Sequence, residues 1–226
     1  MIVTARDVLV TGGTGYMGSR LIPVLLQRGH RVRALARGAS AARVPAGAKA
    51  IEGDALEAAS VLQALRQGDV LVHLVGTPHP GPSKAAEFQR VDLASIRASV
   101  RAAARAGSAH LVYVSVAQPA PVMKDYIEAR AEGERLIGGA NLTATILRPW
   151  YVLGPGHRWP VALLPFYALA RRVPSLRESA ERLGLVTIGQ MVDALARAVD
   201  NPPPAATVRI IDVPAIRAGN HSGAVD

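Results

Sequence analysis

The chain has no cysteine, only two phenylalanines and two tryptophans, and just three lysines (Lys49, Lys84 and Lys124) among its 26 basic residues. Without cysteine there is no disulfide framework, no thiol nucleophile and no thiolate for zinc. The six histidines have no metal-ligand spacing: His73 and His79 stand six apart with no carboxylate pair around them. No apolar run approaches the ~18 to 20 residues of a membrane helix. The start, MIVTARDVLVTGG, lacks the basic segment and long apolar stretch of a secretory signal. A cytoplasmic protein is expected. What is present excludes disorder, since 50% of the 226 residues are hydrophobic, enough to bury a real core. The formal charge of +9 points to an anionic partner. The arginines are spread through amphipathic stretches without interleaved aromatics, which argues against nucleic acid.

Strand-like and helix-like stretches alternate. DVLVT (7–11), RVRALA (31–36), a third starting at Lys49, DVLVHL (69–74), HLVYV (110–114), TATIL (143–147) and VRIIDV (208–213) are short runs rich in β-branched residues. Helical stretches fall at about 16–28, 56–66, 83–106, 124–137 and 189–199, several stopped by glycine. This predicts an α/β fold: a doubly wound parallel sheet with helices on both faces. Residues 1–149 form the core. Residues 150–217, punctuated by Pro155, Pro160 and Pro165, form a small C-terminal lobe of the same domain. The polar tail 218–226 is expected to be mobile.

The sharpest motif is Thr11-Gly12-Gly13-Thr14-Gly15-Tyr16-Met17-Gly18, between a strand and a helix. Gly12 allows a tight turn, Gly15 lets a pyrophosphate approach the backbone, and Gly18 allows close helix packing. The helix N-terminus then offers free N–H groups and a positive dipole end. No GK[ST] follows, so this is not a kinase-type phosphate loop. The pattern resembles the TGxxGxxG signature of extended and atypical short-chain dehydrogenases/reductases. The resemblance implies a Rossmann fold and a nicotinamide dinucleotide. It assigns Asp54, followed by Ala55, to the adenine end and the loop Leu74-Val75-Gly76 to packing on the cofactor. It places Arg148-Pro149 and Gly154-Pro155-Gly156 near the nicotinamide and substrate.

An acid at the end of the second strand would hold a ribose 2′-hydroxyl, and an arginine there accommodates a 2′-phosphate. No acid occurs between Asp7 and Glu52, and Arg37 stands 19 residues beyond Gly18. NADP(H) is therefore expected in preference to NAD, with Arg37 on the phosphate and Arg33 or Arg43 as helpers. Of the first 50 residues eight are basic against the single acid Asp7, so most of the positive excess lies in this unit.

The same resemblance implies a tyrosine acid/base, a lysine four residues on, and a serine after the fifth strand. A phenol near pKa 10 needs a nearby cation to work close to neutrality. Here Tyr126 is followed by Arg130, one helical turn away, in place of lysine. Ser115 leaves the fifth strand, but Ala117 occupies the stricter register of the serine. Asp92 is the nearest match to an asparagine of the fourth helix. Ser115 is thus read either as catalytic or as a hydroxyl capping the strand end, and Tyr126 either as acid/base or as a surface residue. Trp150, Tyr151, His157, Arg158 and Trp159 either line a substrate pocket or anchor the lobe. The expected function is an NADP(H)-dependent oxidoreductase acting on a small organic substrate, as a monomer or homodimer. The alternative is a sensor or scaffold that binds NADP(H) without turnover. A nucleotide-sugar epimerase suits the short lobe less well.

Overall fold

In the computed structural model, residues 4–120, 122–155 and 182–219 are described. Seven β-branched runs pair as parallel strands: β1 (Asp7–Thr11), β2 (Arg31–Ala36), β3 (Lys49–Glu52), β4 (Val70–His73), β5 (His110–Val114), β6 (Ala144–Arg148) and, late in the chain, β9 (Val208–Asp212). The sheet order is β3-β2-β1-β4-β5-β6-β9. The chain moves outward from β1 through β2 to β3, then returns to β4 on the other side. The carboxyl ends of β1 and β4 therefore flank a crevice at the switch point of the winding, where open α/β sheets bind ligands.

Alternation along each strand splits the core into two layers. Val8, Val10, Val32, Val70, Val72 and Val112 face α1 (Gly18–Gln27) and α6 (Ile188–Asp200). Leu9, Leu35, Leu71, Leu111, Tyr113 and Ile146 face α2 (Ala58–Ala64), α4 (Ala94–Ala106) and α5 (Lys124–Gly139). Both faces being covered explains why these strands read as continuous apolar runs.

Two expectations change. The stretch read as one long helix is a short 3₁₀ turn (Pro82–Lys84), a three-residue α3 (Ala85–Glu87), a π-helical segment (Phe88–Leu93) and then α4. Its alanine-rich periodicity does not encode the wider π turn, which is imposed by packing. Beyond β6 the chain adds a two-stranded parallel sheet, β7 (Tyr151–Leu153) with β8 (Leu185–Thr187), and a short α7 (Val213–Ala218) whose first turn is capped by the Asp212 carboxylate, while α6 and β9 join the main core and sheet. Three-residue strands are too short to show a period in sequence. His157, Arg158, Trp159 and the polar tail beyond Gly219 lie outside the described residues. Among the described residues no helix is long and apolar enough to cross a membrane.

Candidate dinucleotide site

The site is assembled from loops at the carboxyl ends of the strands. Gly12 has φ +76°, and a Cβ there would lie 2.8 Å from the Leu74 carbonyl carbon and 3.0 Å from the Val75 nitrogen. The loops after β1 and β4 therefore touch, and only glycine permits it. A Cβ on Gly18 would overlap the Gly12 carbonyl oxygen and sit 2.6 Å from the Gly13 Cα, so this glycine lets α1 pack on the loop itself. Gly15 differs. It is exposed, and its Cβ would meet only the Gly12 oxygen, at 3.2 Å. At the start of α1 no side chain caps Met17 and no acid occupies the first turn. An open backbone edge at an uncapped helix N-terminus fits a pyrophosphate.

The other loop residues are structural in their side chains. Thr11 is buried, and its hydroxyl hydrogen-bonds His73 Nδ1 at 3.0 Å, which leaves only its backbone for a ligand. Tyr16 lies beneath the Arg20 guanidinium, 4.2 Å from its carbon, and packs against Gly154, where a Cβ would overlap the phenol oxygen. Met17 packs on the α1-side core. Gly13 is packed against Ala34 and Ile22, and Thr14 is half-buried.

Arg37 follows β2, with its side chain 72% exposed and 3.8 Å from the Asp54 carboxylate. Asp54 itself is fixed: its Oδ1 accepts from Leu56 N–H and its own N–H donates to Ser60 Oγ. Ala55 packs on the α2-side core. Arg43 is exposed beside Ser40. Arg33 is not a helper. It is buried, and donates to the Ala64 carbonyl and to Asp69 near the amino end of β4. The basic cluster of the first 50 residues is likewise largely occupied away from the crevice. Arg31 pairs with Asp7, Arg28 with Asp193 and Asp200, and Arg6 donates to the Asp200 carbonyl.

At the next strand ends lie the predicted catalytic residues. Tyr126 and Arg130 share one face of α5, and the guanidinium carbon stands 5.2 Å from the Tyr126 ring centroid and 5.8 Å from that of Tyr113. Arg130 is buried. Its Nη1 donates to the Val114 carbonyl at 2.9 Å and its Nη2 to Asp92 Oδ1 at 2.5 Å. Burial works against the Arg130 charge, but Tyr126, Tyr113 and Asp92 outweigh it and hold the guanidinium protonated more firmly than usual. The other oxygen of Asp92 accepts from Thr77 N–H (2.9 Å) and Thr77 Oγ1–H (2.5 Å). Gly76 makes room for this pair, because a Cβ there would overlap Arg130 Nη2. Thr77 carries no motif, and the pairing of Asp92 with Arg130 is not legible in sequence. The one available signal was opposite charges at both family positions.

Ser115 is 2% exposed, and its Oγ has no hydrogen-bond partner. It therefore does not cap the strand; its N–H bonds Leu147 O and continues the ladder. Pro149 is buried, and its carbonyl accepts from Ala117 N–H at 2.8 Å. Arg148 pairs with Glu134, which also accepts from Gln118. Trp150 packs on the α1-side core and meets Tyr151 edge-on, as an anchor would. A groove of about 550 Å³ opens beside α5, with Gln118, Lys124, Ile127, Glu128 and Arg148 in its lining. A second of about 310 Å³ shares Gln118 and Arg148 and adds Ala117, Arg182 and Asp212.

Beneath the crevice, His73 bonds Thr11, Ser99 and Ser95. Burial, with a smaller effect of Arg130, lowers its pKa to about 3, so the ring is neutral. Among the described residues no group of three or more His, Asp or Glu could hold a metal.

Comparison with known proteins agrees with this architecture. The chain is 29% identical over 208 residues to a ceramide reductase of Caulobacter vibrioides, covering 88% of this chain and 62% of that protein. It is 33% identical over 175 residues to a 3-diazoavenalumate denitrifying reductase of a Streptomyces species, covering 66% and 57%. The chain thus spans less than two thirds of either relative. In fold it is similar to Pen from Bacillus thuringiensis (TM-score 0.68, 17% identity, 92% of this chain and 70% of that one). It is also similar to WbmH of Bordetella bronchiseptica, solved with NAD+ (TM-score 0.65, 21% identity, 88% and 73%). The NAD(P)H-binding family model matches residues 12–158, from the first glycine of the loop to beyond β7, and the chain belongs to that family.

Proposed function

We propose that the chain is an NADP(H)-dependent oxidoreductase of the atypical short-chain type that reduces a carbonyl of a small organic substrate. The observation that carries this reading is Tyr126 stacked near a buried, carboxylate-held guanidinium at the carboxyl end of β5, two strands from the glycine loop. The reductase names of its relatives support the direction.

Gly12, Gly13, Thr14, Gly15 and Gly18 would border the pyrophosphate, held by backbone N–H groups left unpaired at the start of α1 and by its dipole, the Gly15 N–H being already given to Gly12 O. Asp54 and Ala55 would border the adenine, and Arg37 would meet the 2′-phosphate. Val75, Gly76 and Pro149 would flank the nicotinamide. When bound, the reduced nicotinamide supplies a hydride. The chain must deliver the proton, and in this reading the Tyr126 hydroxyl would give it to the substrate oxygen. Arg130 orients that phenol. Ser115 Oγ is buried without a partner, so it would act only if the loop after β5 opened toward the substrate. The two grooves lie beside the loop of Ala117 and Gln118, and neither has Tyr126 or the glycine loop in its lining.

Calorimetric titration tests the cofactor. NADPH is expected to bind at least tenfold tighter than NADH, and Arg37→Ala to abolish the difference; equal affinities throughout overturn it. Tyr126→Phe tests the chemistry, with turnover across a panel of ketones and aldehydes expected to fall at least 100-fold while NADPH binding holds. A second reading, NADP(H) sensing without turnover, is favoured by Ala117 and by the commitment of both Arg130 terminal nitrogens to Val114 and Asp92. Tight NADPH binding with no turnover of any panel member would establish it.

A further inference from the structure

Most arginines described above are taken up by carboxylates: Arg28, Arg31, Arg33, Arg130, Arg148 and Arg197 all pair. Those of α4 do not. Arg97, Arg101 and Arg105 stand one turn apart (i, i+4, i+8) on its exposed face, spread over about 12 Å. Arg90 is exposed on the π-helical segment that leads into the helix. Among the described residues none of these four has an ion-pair partner or a side-chain hydrogen bond. The arrangement works against the helix. Like charges four residues apart destabilise it, and the macrodipole favours a cation only in the last turn, where Arg105 stands. A merely solvated face needs neither, since interspersed signs serve solubility as well.

We propose that this arginine stripe is a docking surface for an acidic protein segment whose carboxylates are set at helical spacing against Arg97, Arg101 and Arg105. The proposal does not rest on the dinucleotide reading above. The width of the stripe selects the partner. α4 packs on both α2 and α5. The α2 sequence, AASVLQA, carries no charge. The α5 surface is acidic: Asp125 and Glu128 are exposed, and Glu132 is paired with Arg135. The positive surface is therefore one helix wide. A planar anionic bilayer laid on this layer would meet the α5 carboxylates as well as the arginines, and part of the attraction would be lost. A single nucleic-acid strand stacks its bases on aromatic side chains, and neither α2 nor α4 has one. A row of carboxylates meets the arginines and stays clear of α5. A helix with acids at i, i+4 and i+8 advances about 6 Å per acid, the same step as the arginines. Guanidinium forks take carboxylates bidentately, and arginine clusters are a recurring means of acidic-motif recognition.

Fluorescence anisotropy tests this with two labelled alanine-based helical peptides of equal length and charge. One carries three glutamates at i, i+4 and i+8; the other distributes them around the helix. The first is expected to bind the full chain at least fivefold tighter than the second, and to lose at least fivefold between about 50 and about 200 mM salt as screening shortens. The triple variant Arg97→Gln, Arg101→Gln, Arg105→Gln should weaken it at least tenfold, with an unchanged urea midpoint and unchanged NADPH affinity. Removing the same charge elsewhere, with Arg31→Gln, Arg43→Gln and Lys49→Gln together, should leave peptide affinity within twofold. Arg101→Glu alone should lose the glutamate peptide at least fivefold and regain affinity for one with lysine at the central position; it serves if the triple variant does not fold. Equal binding of the two peptides, or equal loss in the stripe and control variants, overturns the proposal. So does a stripe-dependent preference for phosphatidylserine vesicles or a single-stranded oligonucleotide over the ordered peptide, or a dimer that the stripe variant dissociates in ultracentrifugation, since each gives the stripe another occupant.

Discussion

The glycines of the loop after β1 look equivalent in sequence and are not. Gly18 faces rigid backbone, whereas Gly15 faces outward. Gly18→Ala is expected to destabilise the fold by about 2–3 kcal/mol, since overpacking against backbone cannot relax, as read by urea denaturation. Gly15→Ala should leave the urea midpoint within about 0.5 kcal/mol and weaken NADPH at least tenfold. Ser115 offers a complementary case. An unpartnered buried hydroxyl costs about 1–3 kcal/mol, so Ser115→Ala is expected to hold or raise stability by about 1 kcal/mol, as read by urea denaturation. A clear loss of stability would reveal a partner for the hydroxyl. At this scale the glycine roles were partly legible, because spacing after a strand dictates which backbone must turn. The fate of Arg130 was not, because its partners lie at positions 92 and 114, on two separate segments.

At the scale of elements, α6 is fastened to the first βαβ unit by charge. Asp200 Oδ2 accepts from Arg28, its Oδ1 meets His30 Nε2 at 2.9 Å, and its carbonyl takes Arg6. Asp193 adds Arg28 and Arg197. The Asp200 side chain is only 9% exposed, so Asp200→Ala leaves the buried His30 Nε2 without its partner and Arg28 with Asp193 alone, and is expected to cost about 1–3 kcal/mol. The network sits at the amino end of β2, so NADPH affinity should be unchanged; a parallel loss would mean that the two ends of the sheet are coupled. Strand and helix positions were legible here because the apolar period reports burial directly. The ion network was not, since Arg28 and Asp200 are 172 residues apart.

Across the whole molecule, two histidines are buried neutral. Burial lowers His73 to about 3, with Arg130 adding to it, and lowers His110 to about 3, with Arg209 and Arg6 adding to it. Both folded values lie below the ordinary 6.5, so the fold favours the uncharged ring. Their contribution is complete above 6.5 and is lost as pH falls toward 3. Stability is expected to drop on acidification below 6.5 by up to about 1.4 kcal/mol per pH unit for each histidine. Urea midpoints between pH 8 and 4 measure this, and His110→Gln should remove about half of the slope. A flat profile from pH 7 to 5 would contradict it. The charge of +9 also changes meaning at this scale. Of the eight basic residues in the first 50, Arg6, Arg28, Arg31 and Arg33 serve contacts toward the amino ends of the strands, and Arg37 and Arg43 stay exposed after β2.

The amino-acid sequence by itself determined the alternating elements, the parallel sheet and the glycine loop. These follow from local rules: β-branched runs buried on two faces, glycine where φ must be positive, and a helix opening on its dipole. Tertiary structure alone decided which charges are available. A guanidinium is defined by what lies within about 3 Å of it, and for Arg33, Arg130 and Arg148 that is Asp69, Asp92 and Glu134, brought close only when the sheet is complete. Sequence supplied the ions; the winding of the sheet paired them and left Arg37 largely exposed beyond the end of β2, beside Asp54.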